Sequence, residues 1–140
     1  MKKINYLVST LFFFSFIIFV GVGHGVAPLG LMELSLIPSL LSFNLSSSGK
    51  EEILLSIFIL IALCGHILLF LSLRRKKYKQ KLILITFGQI MLLSTIIFLC
   101  SGFLKNSTAR FTLFWSIPAL INMAFLTFDL FFYKKENSTN

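Results

Sequence analysis

Residues 53–73 contain no charged side chain, and neither do residues 82–104. Runs of that length limit the fold more than anything else in the chain. A helix rises about 1.5 Å per residue and the hydrocarbon core of a bilayer is about 30 Å thick, so about 20 apolar residues cross it. Two further stretches are of the same kind. Ile4 to Ala27 holds Leu11-Phe12-Phe13-Phe14 and Phe16-Ile17-Ile18-Phe19-Val20, while Phe111 to Tyr133 holds one charge, Asp129, near its end. Lipid offers no partner for an unpaired backbone amide, so helices are the expected form. The sequence predicts an all-α fold, an integral membrane bundle of four transmembrane helices in a single domain over residues 1–140. The spans fall at about 4–27, 53–73, 82–104 and 111–133.

Composition supports that medium. Hydrophobic residues make up 56% of the chain and charged residues 13%, against about 25% charged in soluble domains. A soluble fold this small has too much surface for its volume to hide so much apolar area.

The net charge of +8 sits where orientation is set. Lys2 and Lys3 precede the first span, Lys134 and Lys135 follow the fourth, and the loop 74–81 holds Arg74, Arg75, Lys76, Lys77, Lys79 and Lys81. The other two loops hold Lys50, Lys105 and Arg110. Lys and Arg concentrate in cytoplasmic loops, so the N-terminus, the C-terminus and the basic loop are expected to be cytoplasmic. Tyr6, Tyr78 and Tyr133 would mark the inner interface and Trp115 the outer one. This distribution also accounts for the positive charge without nucleic acid as a partner. The six-residue loop is a candidate contact for anionic lipid headgroups. Residues 1–27 also fit a secretory signal, with Lys2-Lys3, an apolar core and small residues Gly21, Gly23 and Gly25. The uncharged run to Met32 is long for one, and an uncleaved helix is the expected form.

Between the first two spans, residues 28–45 are apolar but short and bracketed by Pro28 and Pro38. They are expected to lie in the interface or to re-enter the membrane. The connection from Lys105 to Arg110 is tight, so the last two spans should be antiparallel neighbours.

Polar groups inside a bilayer are costly and repay attention. His66, Gln89 and Asp129 fall on three helices, about 6 to 10 Å from the same membrane face by helical rise. Trp115, Ala119, Asn122, Leu126 and Asp129 recur at steps of four and three, which puts them on one helix face. His66, Gln89, Asn122 and Asp129 therefore form a candidate intramembrane cluster. Its functional reading is proton or cation handling; its structural reading is interhelical hydrogen bonding. Gly21 and Gly25 form a GxxxG, a candidate helix-packing notch. His24 between them falls at the opposite end from His66, so the two cannot share a ligand. Pro118 predicts a kink, with Ser116 available to satisfy freed backbone groups. Cys64 and Cys100 lie at different depths and form no CxxC, which leaves them as small packing residues.

No catalytic set, cofactor site or metal set is legible in these motifs. Small multidrug-transporter-type proteins carry a membrane-embedded glutamate in the first of four spans, whereas no acidic residue occurs here from Ile4 to Met32. The paired cysteines of four-helix membrane thiol oxidoreductases are missing as well. The leading expectation is a non-catalytic accessory or interaction protein of a plasma or bacterial inner membrane. It would pack against itself as a homo-oligomer or against a larger membrane protein. The alternative is a small transporter or channel subunit that uses the polar cluster.

Overall fold

The two runs without a charged residue lie largely within two long helices. The computed structural model describes residues 2–22, 25–41, 50–101 and 107–138. In chain order these form α1 (Lys2–Phe16), β1 (Phe19–Val22), β2 (Gly25–Pro28), α2 (Leu29–Leu41), α3 (Lys50–Arg74), α4 (Tyr78–Cys100) and α5 (Ser107–Ser138). Among the described residues, three segments are long and apolar enough to cross a membrane: Ile53–Arg74, Tyr78–Cys100 and Ala109–Phe131. The chain is thus a mainly helical, multi-pass membrane protein. His24, residues 42–45 of the expected interfacial segment, and residues 102–106 of the connection before α5 lie outside the described residues.

α3 and α4 pack as an antiparallel hairpin with the most extensive contact in the molecule. Two glycines let them approach. A Cβ on Gly65 would sit 3.1 Å from the Gly88 carbonyl oxygen, and one on Gly88 would sit 3.0 Å from the Gly65 carbonyl oxygen. Close backbone approach of this kind is how helices associate where lipid is as apolar as leucine. Further along, Phe58 and Phe98 stack with ring centroids 3.9 Å apart, and Thr95 Oγ1 reaches the Phe58 carbonyl at 3.1 Å.

The N-terminal third departs from the helix expected over 4–27. α1 ends at Phe16, and the chain then forms an antiparallel β-hairpin. Its register pairs Phe19 with Pro28, Val20 with Ala27, Gly21 with Val26 and Val22 with Gly25. The cause is local. Gly21, Gly23 and Gly25 each disfavour a helix by about 1 kcal/mol relative to Ala, and the β-branched Ile18, Val20, Val22 and Val26 suit strands. Gly21 and Gly25 therefore stand on opposite strands, not one turn apart on a helix face, and the close-approach role falls to Gly65 and Gly88.

The hairpin packs on the rest of the fold along one side, while Val26 stays exposed. The Leu29 amide donates to the Ile18 carbonyl at 2.7 Å, closing the hairpin base. Ile18, Val20 and Leu29 are buried, and Phe19 meets Trp115 edge-on at 4.8 Å between centroids. α2 then starts at once and packs on α3 and α1. Gly30 lies against the Phe16 ring so closely that any side chain there would collide with it.

α5 runs through Pro118, and Ser116 Oγ donates to the Leu113 carbonyl at 2.7 Å within that turn. Near its far end, Asp129 meets Lys3 Nζ at 2.8 Å, and the Tyr78 hydroxyl donates to the Leu130 carbonyl at 3.3 Å. These contacts bring the start of α1, the 74–81 loop and the last turns of α5 to one end of the molecule, where the basic segments gather.

Candidate functional site

A polar chain runs through the interior where α1, α2 and α3 meet. His66 on α3 faces both ways. Its Nδ1 lies 2.7 Å from Glu33 Oε1 and 3.0 Å from Oε2, and its Nε2 lies 2.7 Å from Ser15 Oγ. All three side chains are removed from the surface, with relative exposures of 0% for Ser15, 1% for Glu33 and 3% for His66. The rings of Phe12 and Phe16 close over the imidazole edge-on, at 5.1 and 5.9 Å between centroids.

Each member arrives from a different element for a local reason. Ser15 sits one turn above Leu11, whose carbonyl accepts its hydroxyl proton at 2.7 Å. Glu33 is carried in by α2, which the hairpin returns to the end of α1. His66 follows Gly65, the residue that draws α4 onto α3. The imidazole bridges the Ser15 hydroxyl and the Glu33 carboxylate, so the polar atoms of all three side chains find partners inside the fold, as burial of polar groups requires.

Serine, histidine and glutamate in this order resemble a nucleophile, a base and its orienting acid. The surroundings favour another role. Ser15 Oγ has no exposed face for a substrate, and its proton is engaged with the helix backbone. What the arrangement does is satisfy three buried polar side chains with one another and tie three elements together.

The other polar side chains singled out in the sequence do not join this site. Asn122 Nδ2 donates to Thr10 Oγ1 at 2.6 Å, linking α5 to α1. Gln89 Nε2 donates to the Met123 carbonyl at 3.2 Å, linking α4 to α5. Asp129 pairs with Lys3, linking α5 to the start of α1. His66, Gln89, Asn122 and Asp129 thus belong to four separate ties between elements. Glu33, the partner of His66, is not among the candidates that the sequence motifs single out. The signal that could have found it is its isolation, as the one acidic residue in the otherwise apolar residues 28–45.

Among the basic residues, Lys81 is buried at 2% exposure on the α4 face that also carries Ile85, Gly88 and Leu92. Arg74 stacks its guanidinium over Phe70 at 4.9 Å. Arg75, Lys76, Lys77 and Lys79 are exposed. Both cysteines are free thiols, Cys64 exposed and Cys100 half-buried. Among the described residues no group of three or more His, Cys, Asp or Glu side chains comes together as a metal site.

One open cleft, with a volume of about 860 Å³, lies between α4 and α5. Leu82, Ile90, Leu93, Leu120 and Phe128 line it, with Thr86, Gln89 and Thr127 among them. These three polar side chains give hydrogen bonds to the backbone carbonyls of Leu82, Met123 and Met123 respectively. His66 and Asp129 are not part of its wall. Compared with known protein families, with characterised proteins and with solved structures, the chain matches none of them.

Proposed function

We propose that the chain is a small, non-catalytic accessory protein of a plasma or bacterial inner membrane, which packs against a second copy or a larger membrane protein. The observation that carries this reading is the disposition of its polar groups. Ser15, Glu33, His66, Asn122, Gln89 and Asp129 are each engaged in ties within the chain, whereas the outward faces carry Phe114, Phe125, Phe128, Ile97 and Ile121 exposed. An interior occupied by its own hydrogen bonds and an apolar exterior suit association within the bilayer.

In this reading the chain crosses the membrane four times, with both ends and the 74–81 loop in the cytoplasm. Lys3 lies at the same end as Arg74, Tyr78 and Asp129. Lys50 begins α3 at the other end, about 36 Å from Arg74 by helical rise. Residues between Lys3 and Lys50 must therefore carry the chain across. α1 covers about 22 Å of that distance, and the β-hairpin with α2 covers the rest. The positive-inside tendency then places the basic end in the cytoplasm.

A tagged chain crosslinked in intact membranes and purified in mild detergent tests the proposal. The expected result is one defined adduct, with itself or with one larger membrane protein. A chain that remains monomeric under all crosslinking conditions would overturn it.

The second reading, a transporter or channel subunit, is favoured by one observation: two buried titratable side chains, His66 and Glu33, meet at 2.7 Å inside the fold. It requires a pH-dependent flux in proteoliposomes that Glu33→Gln abolishes while the protein stays inserted. Equal fluxes from the two forms dismiss it.

A further inference from the structure

We propose that the cleft between α4 and α5 is a binding site for one anionic phospholipid, with an acyl chain in the cleft and the phosphate at the basic end. The cleft begins at Leu82, Leu130 and Phe131 and extends to Leu93 and Leu120. On α4, Leu82 and Leu93 are eleven steps apart, about 16 Å along the helix. Half of a hydrocarbon core about 30 Å thick is one leaflet, about 15 Å. The cleft therefore has the depth of a single leaflet, starting from the basic end. A partner helix crossing the whole membrane would want a groove about twice as long.

Its chemistry suits a hydrocarbon chain. Leu, Ile, Met and Phe form most of the wall, and Thr86, Gln89 and Thr127 direct their donors to backbone carbonyls and not into the space. A volume of about 860 Å³ falls within the range of roughly 300 to 1,000 Å³ usual for small-ligand sites.

Charge decides which lipid. Tyr78 pins the start of α4 to Leu130, at the mouth of the cleft. Lys79 stands one turn before Leu82 and is exposed, as are Lys76 and Lys77 just ahead of it. Lys81 and Arg74 contribute less, the first buried among α4 core positions and the second placed over Phe70. The headgroup site is thus narrower than the whole basic loop: Lys76, Lys77 and Lys79. No acidic residue occurs from Arg74 to Lys81 to compete for them.

The test reconstitutes the full chain in vesicles of equal parts phosphatidylglycerol and phosphatidylcholine, then counts retained lipids by native mass spectrometry after gentle detergent extraction. Wild type should keep one phosphatidylglycerol in clear preference to phosphatidylcholine. Each of Lys76→Gln, Lys77→Gln and Lys79→Gln should reduce that preference by up to about fivefold. Ala124→Trp, which fills the cleft from an exposed wall position, should abolish retention of either lipid while leaving helical circular dichroism unchanged. Equal retention of the two lipids by wild type, or unchanged retention in Ala124→Trp, would overturn the proposal. So would a dimer free of bound lipid that Ala124→Trp converts to monomer, because a second copy would then occupy the cleft. The vesicles present both lipids on both sides, so the outcome stands apart from orientation and from whether a protein partner is found.

Discussion

The α3–α4 hairpin and the α1–β1–β2–α2 region are equally apolar, yet only the first is a pair of regular spans. α3 and α4 meet through glycines, leucines and a stacked phenylalanine pair, with few polar ties. The N-terminal region breaks its helix, folds back as a hairpin and returns a carboxylate to a buried histidine. Hydrophobicity sets the medium in both. Backbone preference and one buried His66–Glu33 contact separate them. The difference teaches that apolar packing suffices for straight antiparallel helices, whereas a chain that breaks its helix and folds back needs specific polar ties to hold it.

The largest effect should come from breaking the tie that only the N-terminal region has. Glu33→Ala leaves His66 without its carboxylate in a dry interior, and removing one partner of a buried pair costs about 3 to 5 kcal/mol. Unfolding followed by denaturing-detergent titration should show that loss, with α2 released first. The double variant Glu33→Leu with His66→Leu should recover most of it, since apolar replacement of a buried pair is often neutral. A double variant no more stable than Glu33→Ala would show that the pair contributes specific attraction beyond the penalty of leaving a charge alone.

In the α3–α4 hairpin the vulnerable point is steric. Gly88→Val places a Cβ 3.0 Å from the Gly65 carbonyl oxygen and 3.0 Å from Leu69 Cγ. Overpacking of this kind costs about 1 to 3 kcal/mol. The same titration should register it as a smaller loss than Glu33→Ala, with the α1–α2 region retained.

This contrast also explains what could be read from the chain beforehand. Residues 53–73, 82–104 and 111–133 announced their helices because length and lack of charge are direct requirements of a bilayer, and the observed spans match them to within a few residues. The stop at Phe16 was harder. Gly21, Gly23 and Gly25 can serve a close-packed membrane helix or a hairpin, and which one wins depends on whether α5 covers the strands. Residues 28–45 were legible as a segment too short to cross, but not as the carrier of Glu33 to His66. That pairing joins residues 33 positions apart, and no spacing rule supplies how α2 lies on α3. The expected cluster failed to form for the same reason. Shared depth put His66, Gln89 and Asp129 on one level, while helix rotation, which depth does not specify, aimed them at different neighbours.

Asn122 should matter much less than the buried pair. Its Nδ2 bonds Thr10 Oγ1 at 2.6 Å, yet its buried Oδ1 has no donor among the described residues. Asn122→Leu removes one hydrogen bond, and such bonds in membranes average about 0.6 kcal/mol. It also removes one unsatisfied acceptor, whose burial is itself unfavourable. The two terms oppose each other, so the net change should stay under about 1 kcal/mol. A loss comparable with that of Glu33→Ala would mean that the α1–α5 contact depends on polar ties as heavily as α2 does.

The smallest effect is expected at the basic end. Lys3 and Asp129 close to 2.8 Å, but the lysine side chain is 76% exposed, and exposed pairs contribute about 0 to 1 kcal/mol. Lys3→Ala should therefore shift the unfolding midpoint barely, and added salt should leave wild type and variant closer still, because screening removes what little the pair supplies. In the proposed four-span topology Lys2 and Lys3 also flank the first crossing, so the same substitution would weaken the orientation signal. Accessibility labelling of a cysteine placed at residue 2 separates the two roles: stability nearly unchanged with an altered sidedness ratio would mark Lys3 as a topological residue. A stability loss of several kcal/mol would instead make this pair a second lock of the kind seen at His66, and the contrast between an anchored interior and a lightly held periphery would no longer hold.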